Sequence, residues 1–205
     1  MSISDRKAKE KEDLKALILQ GARQLFLERG IEQTTIRNIA DAIDYSVGTV
    51  YVYFKDKNAI LHALHTQGFM QLGTNFKVLY NVADPMERLK AMGKVYIKFA
   101  QENTEMYDLM FNLKAPIEYL QAMEEDNWNE GKATFDVLRT TVQQCIDKGH
   151  FKGHETEPLA FMIWSVVHGM CSLEIGDRTK KLCLQTPDTI LEDGLNEFLK
   201  MLDKM

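Results

Sequence analysis

The chain has 205 residues, enough for a sizeable core, and its 45% apolar content is ordinary for a soluble globular protein. Three cysteines without a CxxC pair argue against a disulfide framework or zinc ribbon, and neither the polar N-terminus nor any apolar run as short as Phe161 to Val167 reads as a secretory signal or bilayer span, so a cytoplasmic location without a membrane partner is expected. The net charge of −5 is uneven: residues 1–66 hold 10 Lys+Arg against 9 Asp+Glu, and the remainder holds 15 against 21. Screening limits a phosphate's view to about 8–10 Å at physiological salt, so the local cations of the first third outweigh distant carboxylates and DNA binding is permitted.

Leu14, Leu17, Ile18, Ala22, Leu25 and Phe26 recur at three- and four-residue intervals, the apolar stripe of an amphipathic helix that Gly30 stops. Thr34 or Thr35 is placed to cap a short second helix with Ile36, Ile39, Ala40 and Ile43, and Ser46 a third from Val47 to about Phe54. Asp56 is the N-cap candidate of a fourth helix reaching the late seventies. Asp84-Pro85 sets a cap and an N1 proline ahead of a fifth, and Thr104 opens another that Pro116 closes. A pattern through Phe135, Leu138, Val142 and Cys145 ends at Gly149, and His150–His154 is a loop. Two more helices follow, one from Thr156 or Pro158 and one from Thr186-Pro187. No segment alternates like a strand. The expected fold is all-α, with a three-helix unit over residues 1–55 and a larger helical body over 56–205.

The stretch TTIRNIADAIDYSVGTVYVYFKDKNAIL, Thr34 to Leu61, resembles the helix-turn-helix of the TetR (tetracycline-repressor-like) family. Thr34-Thr35 opens the supporting helix, Gly48-Thr49-Val50-Tyr51 forms the recognition helix, and Tyr53-Phe54 with Lys57 leads into the fourth. The chemistry is sensible apart from the resemblance. Gly48 offers the thin edge a helix needs in the major groove, Val47 and Thr49 suit thymine methyls, and Tyr51, Tyr53 and Lys57 suit phosphate. Residue by residue, the resemblance implies base contact by Val47, Gly48 and Thr49, and backbone contact by Thr35, Arg37, Tyr51, Tyr53 and Lys57. Thr35 is equally placed to act as a cap alone, Arg37 as a solvated side chain, and Val50 and Phe54 as core. The interleaved charges between Arg6 and Lys15 read as a solvated helix face or a frayed arm. The turn departs from the family's small residues and glycine: it holds Ile43-Asp44-Tyr45-Ser46, in which Asp44 tolerates the left-handed conformation.

For the body, the resemblance implies a bundle that dimerises through its last two helices and encloses a pocket for a small-molecule inducer. Tyr96, Phe99, Tyr107, Met110, Phe111, Trp128 and Phe135 supply aromatic and flexible surface for an apolar ligand, and a Met-aromatic stripe is also what an ordinary core looks like. His168, in the Trp164–Met170 run, reads either as a ligand contact or as a hydrogen-bonded core histidine. No catalytic residue, metal site or cofactor is expected: no Glu-x-x-His pair is present, and Gly153 interrupts His150-x-x-x-His154. The expected function is a ligand-responsive DNA-binding regulator, a repressor that an apolar or amphipathic inducer releases from double-stranded operator DNA. The alternative is a helical protein-interaction module with a vestigial DNA-binding face.

Overall fold

A computed structural model describes residues 2–111 and 129–205, which are helical with no strand among them. The described residues form two compact units, one of residues 2–68 with 108–111 and the other of 69–107 with 129–205. The expectations for Pro116 and Trp128 lie outside the described residues.

In the first unit, α1 (Ile3–Arg29) starts well ahead of its apolar stripe, at a box in which Ser2 Oγ accepts the Asp5 N–H and the Asp5 carboxylate accepts the Ser2 N–H. It stops at Gly30, whose φ of 80° only glycine adopts freely. The choice between the two threonines resolves by burial. Thr34 is buried and donates to the Gly30 carbonyl at 2.8 Å, whereas Thr35 caps α2 (Ile36–Ala42) by exchanging hydrogen bonds with Asn38. Ser46 caps α3 (Val47–Tyr53), and Asp56 accepts the Ala59 N–H at 2.8 Å at the start of α4 (Lys57–Lys77), which leaves this unit at Gly68.

Ile18, Ala22, Ile39, Ala40, Val50, Phe54, Ile60 and Leu61 are buried together, so Val50 and Phe54 belong to the core. Gly21 lets α1 approach the end of α2: a Cβ there would lie 2.6 Å from Ile43 Cγ2.

In the second unit, Asp84 and Pro85 begin α5 (Pro85–Glu102), the Asp84 carboxylate accepting the Met86 and Glu87 N–H groups at 3.0 Å. It is followed by α6 (Thr104–Phe111), whose residues from Asp108 on belong to the first unit, and by α7 (Asn129–Asp147), α8 (Thr156–Ile175) and α9 (Ile190–Leu202). Helices α7, α8 and α9 all pack on α5. The last helix starts later than the Thr186-Pro187 signal suggests, because the Thr186 and Thr189 hydroxyls reach forward to the Asp193 carboxylate and fold residues 186–189 into a turn.

Helix α8 departs from the reading of its apolar run as short. Its 20 residues are long and apolar enough to cross a membrane by length and composition alone. Leu159, Ile163, Val167 and Cys171 bury one face, while Met162, Val166 and Leu173 form an exposed stripe along another.

Candidate nucleic-acid interface

The geometry of the first unit follows from local chemistry. Three backbone N–H groups close the connection between α2 and α3: Ile43 and Tyr45 donate to the Ala40 carbonyl at 3.3 and 3.0 Å, and Asp44 to the Asp41 carbonyl at 3.3 Å. Asp44 takes φ of 57° here, so an aspartate fills the left-handed position that a glycine would otherwise suit. The tight turn delivers Ser46 to the start of α3, where its Oγ accepts the Thr49 N–H at 3.0 Å and shares a hydrogen bond with the Thr49 hydroxyl at 2.8 Å.

With Val50 turned inward, the opposite side of α3 faces solvent. Tyr51 is 54% exposed and Val52 77% exposed, and Gly48 is also exposed. A Cβ at Gly48 would meet nothing closer than Ser46 Oγ at 3.7 Å, and the residue is not left-handed. A glycine in a helix lowers its stability, so the protein's own packing supplies no reason for this one.

The other residues expected on this face divide by what holds them. Val47 and Thr49 are half-buried, and Arg37 is exposed on α2. The Thr35 hydroxyl donates to Asn38 Oδ1 at 2.8 Å, so capping engages its one proton. Tyr53 is half-buried beside an open groove. The Lys57 ammonium donates to the Ile31 carbonyl at 2.7 Å, a tie between the start of α4 and the α1–α2 connection. An ammonium has three protons, so the tie leaves donor capacity for a phosphate. Further along α4, burial holds the His65 imidazole down to about 4, with the neighbouring His62 adding to the effect.

The second unit brings together three of the residues expected to contact ligand. The Tyr107 hydroxyl lies 2.6 Å from His168 Nδ1 and donates to the His168 carbonyl at 3.2 Å, and Tyr96 Oη lies 3.1 Å from the same Nδ1. Two participants were not anticipated. The Trp164 indole donates to Tyr96 Oη at 3.2 Å, and Ser172 Oγ lies 3.3 Å from His168 Nε2. Trp164, His168 and Ser172 recur every four residues along α8, the spacing that puts them on one face.

Tyr107 is fully buried, and burial lowers the His168 pKa and raises that of Tyr96, which disfavours the charged form of both. Phe135 lies 6.0 Å from Trp164 between ring centroids, and Phe99 is buried in α5. Met110 and Phe111 belong to the first unit, where Met110 is buried. Among the described residues no cluster of three or more His, Cys, Asp or Glu is placed to hold a metal ion.

A short capped helix, a tight turn and a second helix with an outward face that the core does not use define a helix-turn-helix DNA-binding regulator. Residues 18–64 match the family described as bacterial regulatory proteins, tetR family, and residues 89–198 match the tetracyclin repressor-like C-terminal domain. The chain belongs to the TetR family.

Relatives include the HTH-type transcriptional repressor KstR2 of Mycobacterium tuberculosis, 26% identical over 153 residues that cover 72% of this chain and 74% of that protein. The HTH-type transcriptional repressor AcnR of Corynebacterium efficiens is 26% identical over 174 residues, 80% of this chain and 84% of that protein. In fold, the chain is similar to a TetR-family transcriptional regulator from Syntrophomonas wolfei, with a TM-score of 0.73 at 22% identity over 95% of this chain and 97% of that one.

Proposed function

We propose that this TetR-family regulator acts in the cytoplasm as a homodimeric repressor that a small apolar or amphipathic inducer releases from its operator. The exposed face of α3, with a glycine at position 48 that internal packing does not require, carries the reading. Val47, Gly48 and Thr49 meet base edges in the major groove, while Arg37, Tyr51, Tyr53 and Lys57 hold the phosphates and Thr35, its hydroxyl proton engaged by Asn38, serves as the α2 cap. Lys57 does so while tied to Ile31, which fixes its stem. Helices α8 and α9 pair with their counterparts across a two-fold axis. The Met162, Val166 and Leu173 stripe, with Met201 on α9, leaves apolar surface of the kind an obligate dimer buries.

Two recognition helices in such a dimer enter successive major grooves about 34 Å apart. Ligand acts by favouring a dimer with a different spacing. Tyr96, Tyr107 and His168 supply hydrogen-bonding groups in an otherwise apolar helical interior of the second unit, with Phe99 and Phe135 as further ligand-contacting residues. The alternative of an interaction module with a vestigial DNA-binding face is not favoured by the relatives, which are named as transcriptional regulators.

The test is Tyr51→Ala. The side chain is exposed and outside the core, so the variant melts like the parent; DNA binding is expected to fall at least tenfold. Undiminished binding would remove α3 from the interface and overturn the reading.

A further inference from the structure

The first three turns of α1 stand apart from the core. No described side chain between Ser2 and Asp13 is buried, and the first fully buried residue is Ile18. The Ser2–Asp5 box and an exposed Arg6–Glu10 pair at 3.4 Å support this segment. Exposed pairs of that kind contribute little, and these turns extend the packed part of α1 without burying any side chain described in them. Packing within the unit therefore does not account for it.

Its surface is organised nonetheless. Lys7, Lys11, Leu14 and Leu17 follow one another at three- and four-residue spacing and so share a face. That face meets Tyr45, from the turn, and Val52 and Tyr53, from α3, across an open groove of about 580 Å³. The groove is continuous with the recognition helix and has mixed chemistry. Leu17, Tyr45 and Val52 are exposed apolar surface, and the two lysines, one helical turn apart, add ammonium groups.

We propose that this groove is a second DNA contact, in which the sugar-phosphate backbone flanking the α3 site runs between α1 and α3. Lys7 and Lys11 take successive phosphates, and the sugar edges lie against Leu17, Tyr45 and Val52. The inference rests on the DNA-binding reading of α3 and extends its footprint to a segment outside the helix-turn-helix. Two acids also line the groove. Arg6 engages Glu10, and the Asp13 charge opposes the lysines, so DNA binding is set by a balance of signs that substitutions can tip either way.

The experiment uses the full chain, a mixed-sequence duplex and the tightest duplex recovered from a random-sequence selection, each titrated over a salt series. Lys7→Ala with Lys11→Ala removes two phosphate contacts. The slope of log Kobs against log salt should become shallower by about 1.8, and affinity at 0.1 M salt should fall about 60-fold, on both duplexes alike. The ratio between the duplexes should stay constant, because phosphate contacts carry no base information. Asp13→Asn should tighten both several-fold.

An unchanged slope in the double variant, beside a Tyr51→Ala protein that has lost binding, would overturn the second contact and leave the α3 reading standing. The same holds if the double variant changes only the number of copies bound per duplex, which would mark the groove as a contact between copies. A parent protein that binds neither duplex would overturn both.

Discussion

Gly48→Ala separates what is good for the fold from what is good for the interface. The added Cβ has 3.7 Å to its nearest neighbour, Ser46 Oγ, so it enters without a clash. Alanine is the better helix former by up to about 1 kcal/mol, less near a helix start, so the variant should be more stable by roughly 0.5 kcal/mol. On DNA the sign reverses. The methyl projects from the exposed side of α3, which in the proposed complex a base edge approaches closely, and an overpacked contact is unfavourable by about 1–3 kcal/mol. At 1.4 kcal/mol per factor of ten, operator affinity should drop between about 5- and 150-fold. Urea unfolding followed by fluorescence, and anisotropy titration of a labelled duplex with the same preparation, give the two numbers. A variant that binds like the parent would refute the claim that an external surface dictates glycine at this position.

Gly21→Ala should act on the fold alone: a Cβ 2.6 Å from Ile43 Cγ2 forces α1 from the end of α2, with a loss of about 1–3 kcal/mol in urea unfolding. His65 is buried, and its pKa falls from the ordinary 6.5 to about 4, so the folded state binds the proton less readily than the unfolded chain. Its contribution is therefore complete above about pH 6.5 and is lost as the pH falls toward 4, by up to about 3 kcal/mol; His65→Gln should flatten the stability profile across that window. Tyr107→Phe deletes the hydroxyl that bonds to His168 and should destabilise by about 1–2 kcal/mol in thermal or urea unfolding, with the DNA affinity of the ligand-free protein unchanged.

Local chemistry was the legible part. The caps at Thr35, Ser46, Asp56 and Asp84 join a side chain to backbone two or three residues on, so short-range spacing reveals them. The inward side of α3 followed from periodicity, and the left-handed Asp44 from its residue type. What was not legible depends on residues distant in the chain. The Lys57 tie to Ile31 spans 26 positions, and the Tyr96–His168 bond spans 72. The early start of α1 was half legible: the interleaved charges from Arg6 to Lys15 read as a solvated helix face or a frayed arm, the structure shows the former, and because those turns bury nothing no apolar stripe decided between the two. The hydrogen bonds of Trp164 and Ser172 were not read because an apolar helix face masks the four-residue recurrence of its polar members.

The most direct test of the central claim is a salt-series titration against DNA from immediately upstream of the protein's own gene, beside an unrelated duplex of equal length. Saturable binding at least about a thousandfold tighter than to the control is the predicted result, and it defines a sequence-specific regulator. Equal, weak and steeply salt-dependent binding to both duplexes, followed by failure of a genome-wide fragment selection to find any preferred site, would contradict the account.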